Sequence, residues 1–355
     1  MNTLISEVEV DDLTLELVKP FDYKFDGRSS FTPPKFEHPQ EDFGIGLIIG
    51  SSGSGKSTIL NSINDLTEQP LWDSNRSVAS HFASVDDARE RLTGVGLNSV
   101  PTWTKPYNVL STGEKFRADM ARVLGDNVAI DEFSSVVDRQ VAQSICYAIS
   151  RYIRQKEFKR VVFASCHYDI VSWLEPDWVF DTGVGEFLPR GSLQQREEIK
   201  LEVMPCGVEG WTMFRDHHYL TGDINKSAHC WLVTWNDTPV GFSSAIAMPN
   251  RYIKNAWRGH RTVVLPDFQG MGFGVRISDA IGELFLAQGR RYFCKTSHPR
   301  MGEYRERSPY WKPTSKNKVV RKDYLIPRES KEKNYRESHA FRLCYSHEYI
   351  GKNSS

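Results

Sequence analysis

Gly50-Ser51-Ser52-Gly53-Ser54-Gly55-Lys56-Ser57 follows the apolar run Gly46-Leu47-Ile48-Ile49 and leads into a helical pattern from Lys56 to Asn64. Apolar strand, glycine-rich turn, helix is the order a phosphate cradle needs. The glycines let backbone N–H groups wrap phosphate oxygens, and the helix N-terminus adds a partial positive charge. Lys56 is expected at the β- and γ-phosphates and Ser57 on Mg²⁺, with Thr58 following in the same turn. Further on, Val128-Ala129-Ile130-Asp131-Glu132 is an apolar strand ending in two carboxylates. Asp131 is placed to hold Mg²⁺ through water, and Glu132 to polarise an attacking water as general base.

Three more segments fall into sequence order with these. Leu110-Ser111-Thr112-Gly113-Glu114-Lys115 resembles the signature motif of ABC-type ATPases, with Thr112 and Glu114 replacing the usual Gly and Gln. Ser135-Val136-Val137-Asp138 resembles the D-loop, and His167, after the strand Val161 to Cys166, stands where that family keeps its switch histidine. The resemblance covers about residues 10–190. It implies ATP and Mg²⁺ at Gly50 to Thr58, with Ser57 and Asp131 as the metal residues and Asp138 at the nucleotide. It also implies an ATP-dependent homodimer in which Ser111 and Gly113 act in trans, and catalysis by Glu132 and His167. There are departures. No glutamine stands at the Q-loop position, for which Asn75, Ser80 and His81 are candidates. The interval from Lys56 to Ser111 is short, so the subdomain that couples to membrane subunits is mostly absent. The adenine-stacking aromatic is Phe31 or Phe36.

A second glycine-rich turn, Gln269-Gly270-Met271-Gly272-Phe273-Gly274, follows the strand Thr262-Val263-Val264-Leu265 and opens a helix. The physics is again a phosphate cradle: close backbone approach, successive N–H groups and a helix N-terminus. A Rossmann turn is the rival, but a β-hairpin rather than a βαβ unit precedes this one. The form Q-x-x-G-x-G resembles the coenzyme-A motif of GNAT acyltransferases, and the element order matches over about residues 198–350. The resemblance implies acetyl-CoA or another acyl-CoA on Gln269, Gly270, Met271, Gly272 and Gly274, with Val264 and Leu265 pairing with the pantetheine arm. Acyl transfer needs an acid for the departing thiolate. In this family it is often a tyrosine after the next strand, which singles out Tyr304 ahead of Ser297 and His298. His217-His218-Tyr219 stands where GNAT folds line the acceptor groove; as a metal site the pair lacks a third ligand at suitable spacing.

These motifs need two domains, and 355 residues are enough for both. Residues 1–192 read as α/β: a P-loop domain with strands at 46–49, 128–130, 160–165 and 177–180 and a helix over 141–155, where Ile145, Ile149 and Ile153 share a face. The polar stretch 189–200 marks the boundary. Residues 193–355 read as an α+β domain of GNAT type. Its elements are a strand at 201–204, a helix at 211–219 and a hairpin at 230–247 turning at Asn236-Asp237-Thr238-Pro239. A strand at 261–265, a helix at 274–286 and a strand at 291–295 follow. Then come a long loop over 312–338 and a last strand at 341–350.

No apolar stretch approaches the roughly 18 residues of a membrane span. The acidic residues 1–10 lack a signal-segment pattern, so a cytoplasmic protein is expected, in the host cytoplasm if viral. The six cysteines form no C-x-x-C pair, which suits reduced thiols. Net charge is zero, yet from Arg290 onward 17 Lys/Arg face 7 Asp/Glu. With Tyr304, Tyr310, Trp311 and Tyr324, that basic region suggests DNA or another nucleic acid as partner. The pair of domains resembles phage and bacterial ABC–GNAT fusion proteins, and the second is loosely similar to Mom-like acyltransferases that modify adenine in DNA. The leading expectation is an ATPase coupled to an acyl-CoA-dependent N-acyltransferase acting on nucleic acid. The alternatives are a protein or small-molecule amine as acceptor, and a non-catalytic ATP-dependent DNA clamp.

Overall fold

The computed structural model describes residues 3–321 and 342–351, except 22–24, 38, 40–41, 194–195 and 219–221. Tyr219, Tyr324 and most of the lysine-rich stretch after Arg321 lie outside the described residues. The chain divides into two compact units: Met1–Gly96 with Pro106–Glu197, and Leu97–Lys105 with Glu198–Ser355. All six cysteines are free thiols. Among the described residues no helix is long and apolar enough to cross a membrane.

In the first unit, β1 (Leu4–Glu7), α1 (Asp12–Val18) and β2 (Arg28–Phe31) form a small ribbon, the two strands pairing antiparallel. Next come β3 (Ile45–Ile49), α2 (Lys56–Ile63), α3 (Val85–Gly94), α4 (Val100–Trp103) and α5 (Thr112–Val123). Then follow β4 (Ala129–Ile130), α6 (Arg139–Lys156), β5 (Val161–Ser165), α7 (Ile170–Leu174), β6 (Trp178–Asp181) and β7 (Glu186–Pro189). Of these α4 belongs to the second unit. The main sheet has the order β4-β5-β3-β6-β7; the first four strands are parallel and β7 closes antiparallel on β6. β3 and β5 are buried at every position, which is why they read as unbroken apolar runs rather than alternating ones. Ile145, Ile149 and Ile153 of α6 are fully buried, as their spacing predicts.

In the second unit β8 (Glu202–Cys206), β9 (His229–Trp235), β10 (Thr238–Ala247) and β11 (Ala256–Val264) form an antiparallel run. α8 (Phe273–Ala287), β12 (Arg291–Thr296), α9 (Pro299–Arg307), β13 (Trp311–Pro313), β14 (Val319–Arg321) and β15 (Arg342–Tyr349) follow. The sheet order is β13-β15-β12-β11-β10-β9-β8, with β14 pairing β15. Asn236 and Asp237 both take positive φ, 48° and 60°, in the tight turn between β9 and β10. The buried face of α8 (Ile277, Ile281, Phe285) packs into one core with Trp231, Tyr292, Trp311 and Tyr349, and Phe285 stacks on Tyr292 at 5.2 Å.

Two expectations change. Where a helix is expected over 211–219, the described residues form a pair of 3₁₀ turns, Val208–Met213 and Arg215–His217. Trp211 and Phe214, three residues apart, are both buried, a spacing that the tighter 3₁₀ winding keeps on one side. The stretch expected as a long loop from 312 begins with strand residues, β13 and then β14, both held by β15.

Candidate functional site

In the first unit the parallel strands bring the motifs to one edge. β3 runs into the Gly50–Gly55 turn, β4 into Asp131 and Glu132, and β5 into His167, with β5 lying between β4 and β3. The carboxyl edge of a parallel sheet is where ligands collect in α/β folds, because the turns there open onto helix N-termini. Gly55 is the N-cap of α2 with φ 90° and ψ 13°, and no side chain caps that helix. Lys56 Nζ lies 2.9 Å from Gly50 O and 2.7 Å from Ser51 O, folded over the turn. Ser54 Oγ donates to Ser51 O at 2.8 Å and pairs with Thr182 Oγ1 at 2.5 Å. Thr182, just after β6, also donates to Ile49 O at 2.9 Å and so pins the turn from the neighbouring strand. Sequence reasoning missed Thr182, because a lone threonine after a strand carries no signal.

Glu132 sits at φ 50°, and its N–H donates to Asp131 Oδ1 at 2.8 Å. Phe133 N donates to Ala164 O at 2.8 Å, fixing the carboxylate turn to β5 just before His167. His167 N in turn donates to Ser165 Oγ at 3.2 Å. Asp138 is the N-cap of α6, accepting from Gln140 N at 2.9 Å. Ser111 is the exposed N-cap of α5, and Glu114 completes a capping box by accepting from Ser111 N at 3.0 Å. The Glu that departs from the signature pattern thus satisfies a helix N-terminus. α5 lies on α6 near its start: a Cβ on Gly113 would stand 3.0 Å from Val141. Gly113 therefore lies close to the first turn of α6, which Asp138 caps.

The two adenine-stacking candidates separate. Phe36 packs into the core against Trp178 and Phe180. Phe31 lies against the phosphate turn, where a Cβ on Gly55 would stand 2.9 Å from its ring. Of the Q-loop candidates, His81 is a loop clasp: Nε2 accepts from Asp73 N at 3.0 Å, Nδ1 lies 2.9 Å from Ser77 O, and its ring meets Trp72 edge-on. Ser80 pairs with Ser77 at 2.7 Å, and Asn75 N donates to Asp73 Oδ1 at 2.9 Å.

In the second unit β11 and β12 are parallel but pair only from Ala256↔Arg291 to Arg258↔Phe293. Beyond that, β11 runs to Val264 and β12 to Thr296 without pairing to each other, so the two strands part beside the glycine turn. Gly272 is the N-cap of α8 with φ 82° and ψ 11°, again without a side-chain cap, and Gly270 has φ 96°. Met271 packs against the core and Gly274 approaches Val264. Gln269 grips the end of β11: its Nε2 donates to Val264 O at 3.0 Å and its Oε1 accepts from Asn98 N at 2.9 Å. Leu265, expected at the pantetheine arm, is committed elsewhere. Its N–H donates to Val240 O and its carbonyl accepts from Phe268 N, both at 3.0 Å.

Tyr304, expected as the acid, is held in a hydrogen-bonded cluster. Its hydroxyl donates to Asp279 on α8, whose other oxygen accepts from Trp311 Nε1 at 2.7 Å. Burial first, and then the neighbouring Asp279 carboxylate, push the Tyr304 hydroxyl up to about 12, so it stays protonated across the neutral range. Tyr304, Tyr310 and Trp311 all pack on the core of the unit, so they are not an exposed stacking platform for bases. A bulge in β10–β11 leaves His260 extra, and its Nε2 accepts from Asn225 N at 3.1 Å. His218 is buried edge-on to Trp211, while His217 is exposed. Both His218 and His260 are pulled down to about 4, by burial first and then by Arg261. Among the described residues no group of three His, Cys, Asp or Glu side chains is arranged to hold a metal.

The sequence matches no family model and no curated protein. Solved structures resemble its parts. The ribosomal-protein-S18-alanine N-acetyltransferase of Escherichia coli is 10% identical over 44% of this chain and 99% of its own, with TM-score 0.31. Arabidopsis thaliana Naa50, solved with a bisubstrate analogue, is 12% identical over 42% of this chain and 97% of its own, with TM-score 0.32. The bacterial ABC transporter cassette MJ0796 is 17% identical over 44% of this chain and 86% of its own, with TM-score 0.31.

Proposed function

We propose that the chain is an acyl-CoA-dependent N-acyltransferase whose activity is governed by an ABC-type ATPase in the same polypeptide. The observation that carries the reading is the gap between β11 and β12 beside the glycine-capped start of α8. Strands that part leave unpaired edges against which an amide-bearing pantetheine arm can lie, and the helix N-terminus suits a pyrophosphate. In the transfer step an acceptor amine attacks the thioester carbonyl, the C–S bond breaks, and the coenzyme leaves as thiol after taking up a proton. The ATPase half rests on the parallel-sheet edge that gathers the Gly50–Gly55 turn, Asp131, Glu132 and His167. There Ser57 and Asp131 would hold Mg²⁺, which would shield the phosphates, while Glu132 draws a proton from the attacking water. By the same reading the active ATPase is a homodimer in which Ser111 and Gly113 complete the partner's site.

The acceptor we propose is a nucleic-acid amine. Its support is charge, the 17 Lys/Arg against 7 Asp/Glu from Arg290 onward, since the nearby aromatics are used in packing. Mass spectrometry of DNA and protein from cells expressing the chain tests this. Acyl adducts on DNA that vanish with Gly272→Leu are expected. Adducts on protein alone would move the reading to a protein amine, and none on either would end it.

A further inference from the structure

Within the second unit, the turn between β10 and β11 presents an aromatic ring that packing does not use. Tyr252, at its tip, is 85% exposed, whereas Tyr304, Tyr310 and Trp311 pack on the core. The turn has a defined backbone. Met248 N donates to Ala256 O at 2.8 Å and closes it. Asn250 Oδ1 accepts from Tyr252 N at 2.8 Å and from Ile253 N at 3.2 Å. An Asn side chain bonded to the backbone just ahead of it holds a tight turn in one conformation. Asn255 takes φ 53° where the chain enters β11.

The charge around this tip has one sign. Between Asp237 and Asp267 the sequence has no Asp or Glu, and Arg251, Lys254 and Arg258 are all exposed. Arg291 N donates to Asn255 O at 3.0 Å, which brings the start of β12, and Arg290 before it, beside the turn. The Arg290 guanidinium lies 5.1 Å from the Trp257 ring, and that of Arg251 5.9 Å from the Tyr252 ring. Arg291 is paired with Glu348 at 2.6 Å. Among the described residues no carboxylate pairs with Arg251, Lys254, Arg258 or Arg290. Exposed, unpaired cations attract phosphates, and an exposed ring gives an unpaired base a face to stack on. Bases in a duplex are already stacked on one another. An enzyme also reaches the amine of a base only when that base is out of the duplex stack.

We propose that the β10–β11 turn, with Arg251, Tyr252, Lys254, Arg258 and Arg290, is a docking surface for single-stranded nucleic acid. The cations would contact phosphates and Tyr252 would stack on a base. This rests on the reading above that the acceptor is a nucleic acid, and it adds the surface and the strand form. β11 spans nine residues between this turn and the proposed coenzyme cradle. At about 3.3 Å per residue that is about 30 Å, so strand and acyl-CoA use separate groups.

The test is fluorescence anisotropy of the full chain with a labelled single-stranded oligonucleotide and with its duplex. Tyr252→Ala should weaken single-strand binding by about fivefold or more. Arg251→Gln with Lys254→Gln should weaken it and lower the log–log salt slope by about two. Lys312→Gln with Lys316→Gln, exposed cations away from the turn, should leave it within about twofold of wild type. Calorimetry should give the same acetyl-CoA affinity in all of these variants. Single-strand binding that is unchanged by the turn substitutions, or a duplex bound more tightly than its single strand, overturns the proposed surface and leaves the nucleic-acid acceptor standing. Vesicles containing phosphatidylserine that bind through the same residues while the oligonucleotide does not would reassign the turn to a membrane surface and overturn it as well. An unmodified chain that binds neither strand form at low salt ends the nucleic-acid acceptor, and this inference with it.

Discussion

Gly55 and Gly272 adopt nearly the same backbone conformation, φ 90° and ψ 13° against φ 82° and ψ 11°, and each is the N-cap of a helix that no side chain caps. The left-handed region costs an L-residue with a Cβ about 1–2 kcal/mol. Both positions thus use a glycine to bend the chain sharply from a strand into a helix while leaving the first N–H groups facing outward. The chain builds the same glycine-capped helix start twice, once in each compact unit, and the two differ in the groups around them. The first has a lysine at the helix start, two carboxylates just after β4 and a histidine just after β5. The second has a strand that parts from its neighbour.

Glu132→Gln should keep ATP binding, lower hydrolysis by about a hundredfold or more and accumulate a dimer in the presence of ATP. Phosphate release and light scattering on a sizing column check the two effects separately. Hydrolysis at the wild-type rate would remove Glu132 as general base. Normal trapping of ATP without a dimer would remove the in-trans role of Ser111 and Gly113.

Tyr304→Phe deletes one of two donors to the half-buried Asp279 carboxylate. The expected cost is about 1–2 kcal/mol of stability, with kcat for acetyl transfer within about threefold of wild type. A hundredfold loss of kcat without a change in Tm would identify Tyr304 as the acid.

The glycine turns, the carboxylate pair after β4 and the buried strands were legible because each depends on residues adjacent in sequence. Gly-x4-Gly-Lys-Ser is a local backbone requirement, and an apolar pentamer such as Ile45–Ile49 is a local consequence of burial on both faces. What stayed hidden depends on contacts between distant residues. Asn98 and Gln269 meet across 171 positions through a backbone donor, which any residue but proline supplies. Asp279, Thr182 and Asp119 look like ordinary polar residues until their partners are known. Tyr304, Tyr310 and Trp311 looked like a nucleic-acid surface for the same reason: composition reports an aromatic cluster but not which way it faces. The expected helix at 211–219 gave way on a finer point: buried Trp211, Phe214 and His218 have α-helical spacing, but Trp211 and Phe214 alone, three apart, suit the 3₁₀ period equally well.

His218 and His260 give the second unit an acid sensitivity. Each is pulled from 6.5 to about 4 on folding. Between those values the unfolded chain binds protons that the folded chain does not, so stability falls as pH drops from 6.5 through 4. Each proton contributes at most about 1.4 kcal/mol per pH unit, and less for the more exposed His260, where solvent screens the shift. Thermal melts from pH 7 to pH 4 should show this slope, and His218→Gln with His260→Gln should flatten it. An unchanged slope in the double variant would assign the acid sensitivity to other groups.

DNA affinity should fall steeply with salt if the basic region contacts phosphates. Six or more contacts imply roughly a thousandfold loss between 50 and 200 mM salt. Fluorescence anisotropy with a labelled oligonucleotide measures the slope, and binding indifferent to salt would exclude the nucleic-acid acceptor.

The central claim is that one chain carries two separate cradles, one for ATP and one for acyl-CoA, each depending on its own glycine-capped helix. Calorimetric titration of the full chain with Mg·ATP and, separately, with acetyl-CoA tests it most directly. One site per chain is expected for each ligand. Lys56→Ala should abolish ATP binding and leave acetyl-CoA binding in place, and Gly272→Leu should do the reverse. Failure of either ligand to bind the unmodified chain, or loss of both ligands to a single substitution in a folded variant, would contradict it.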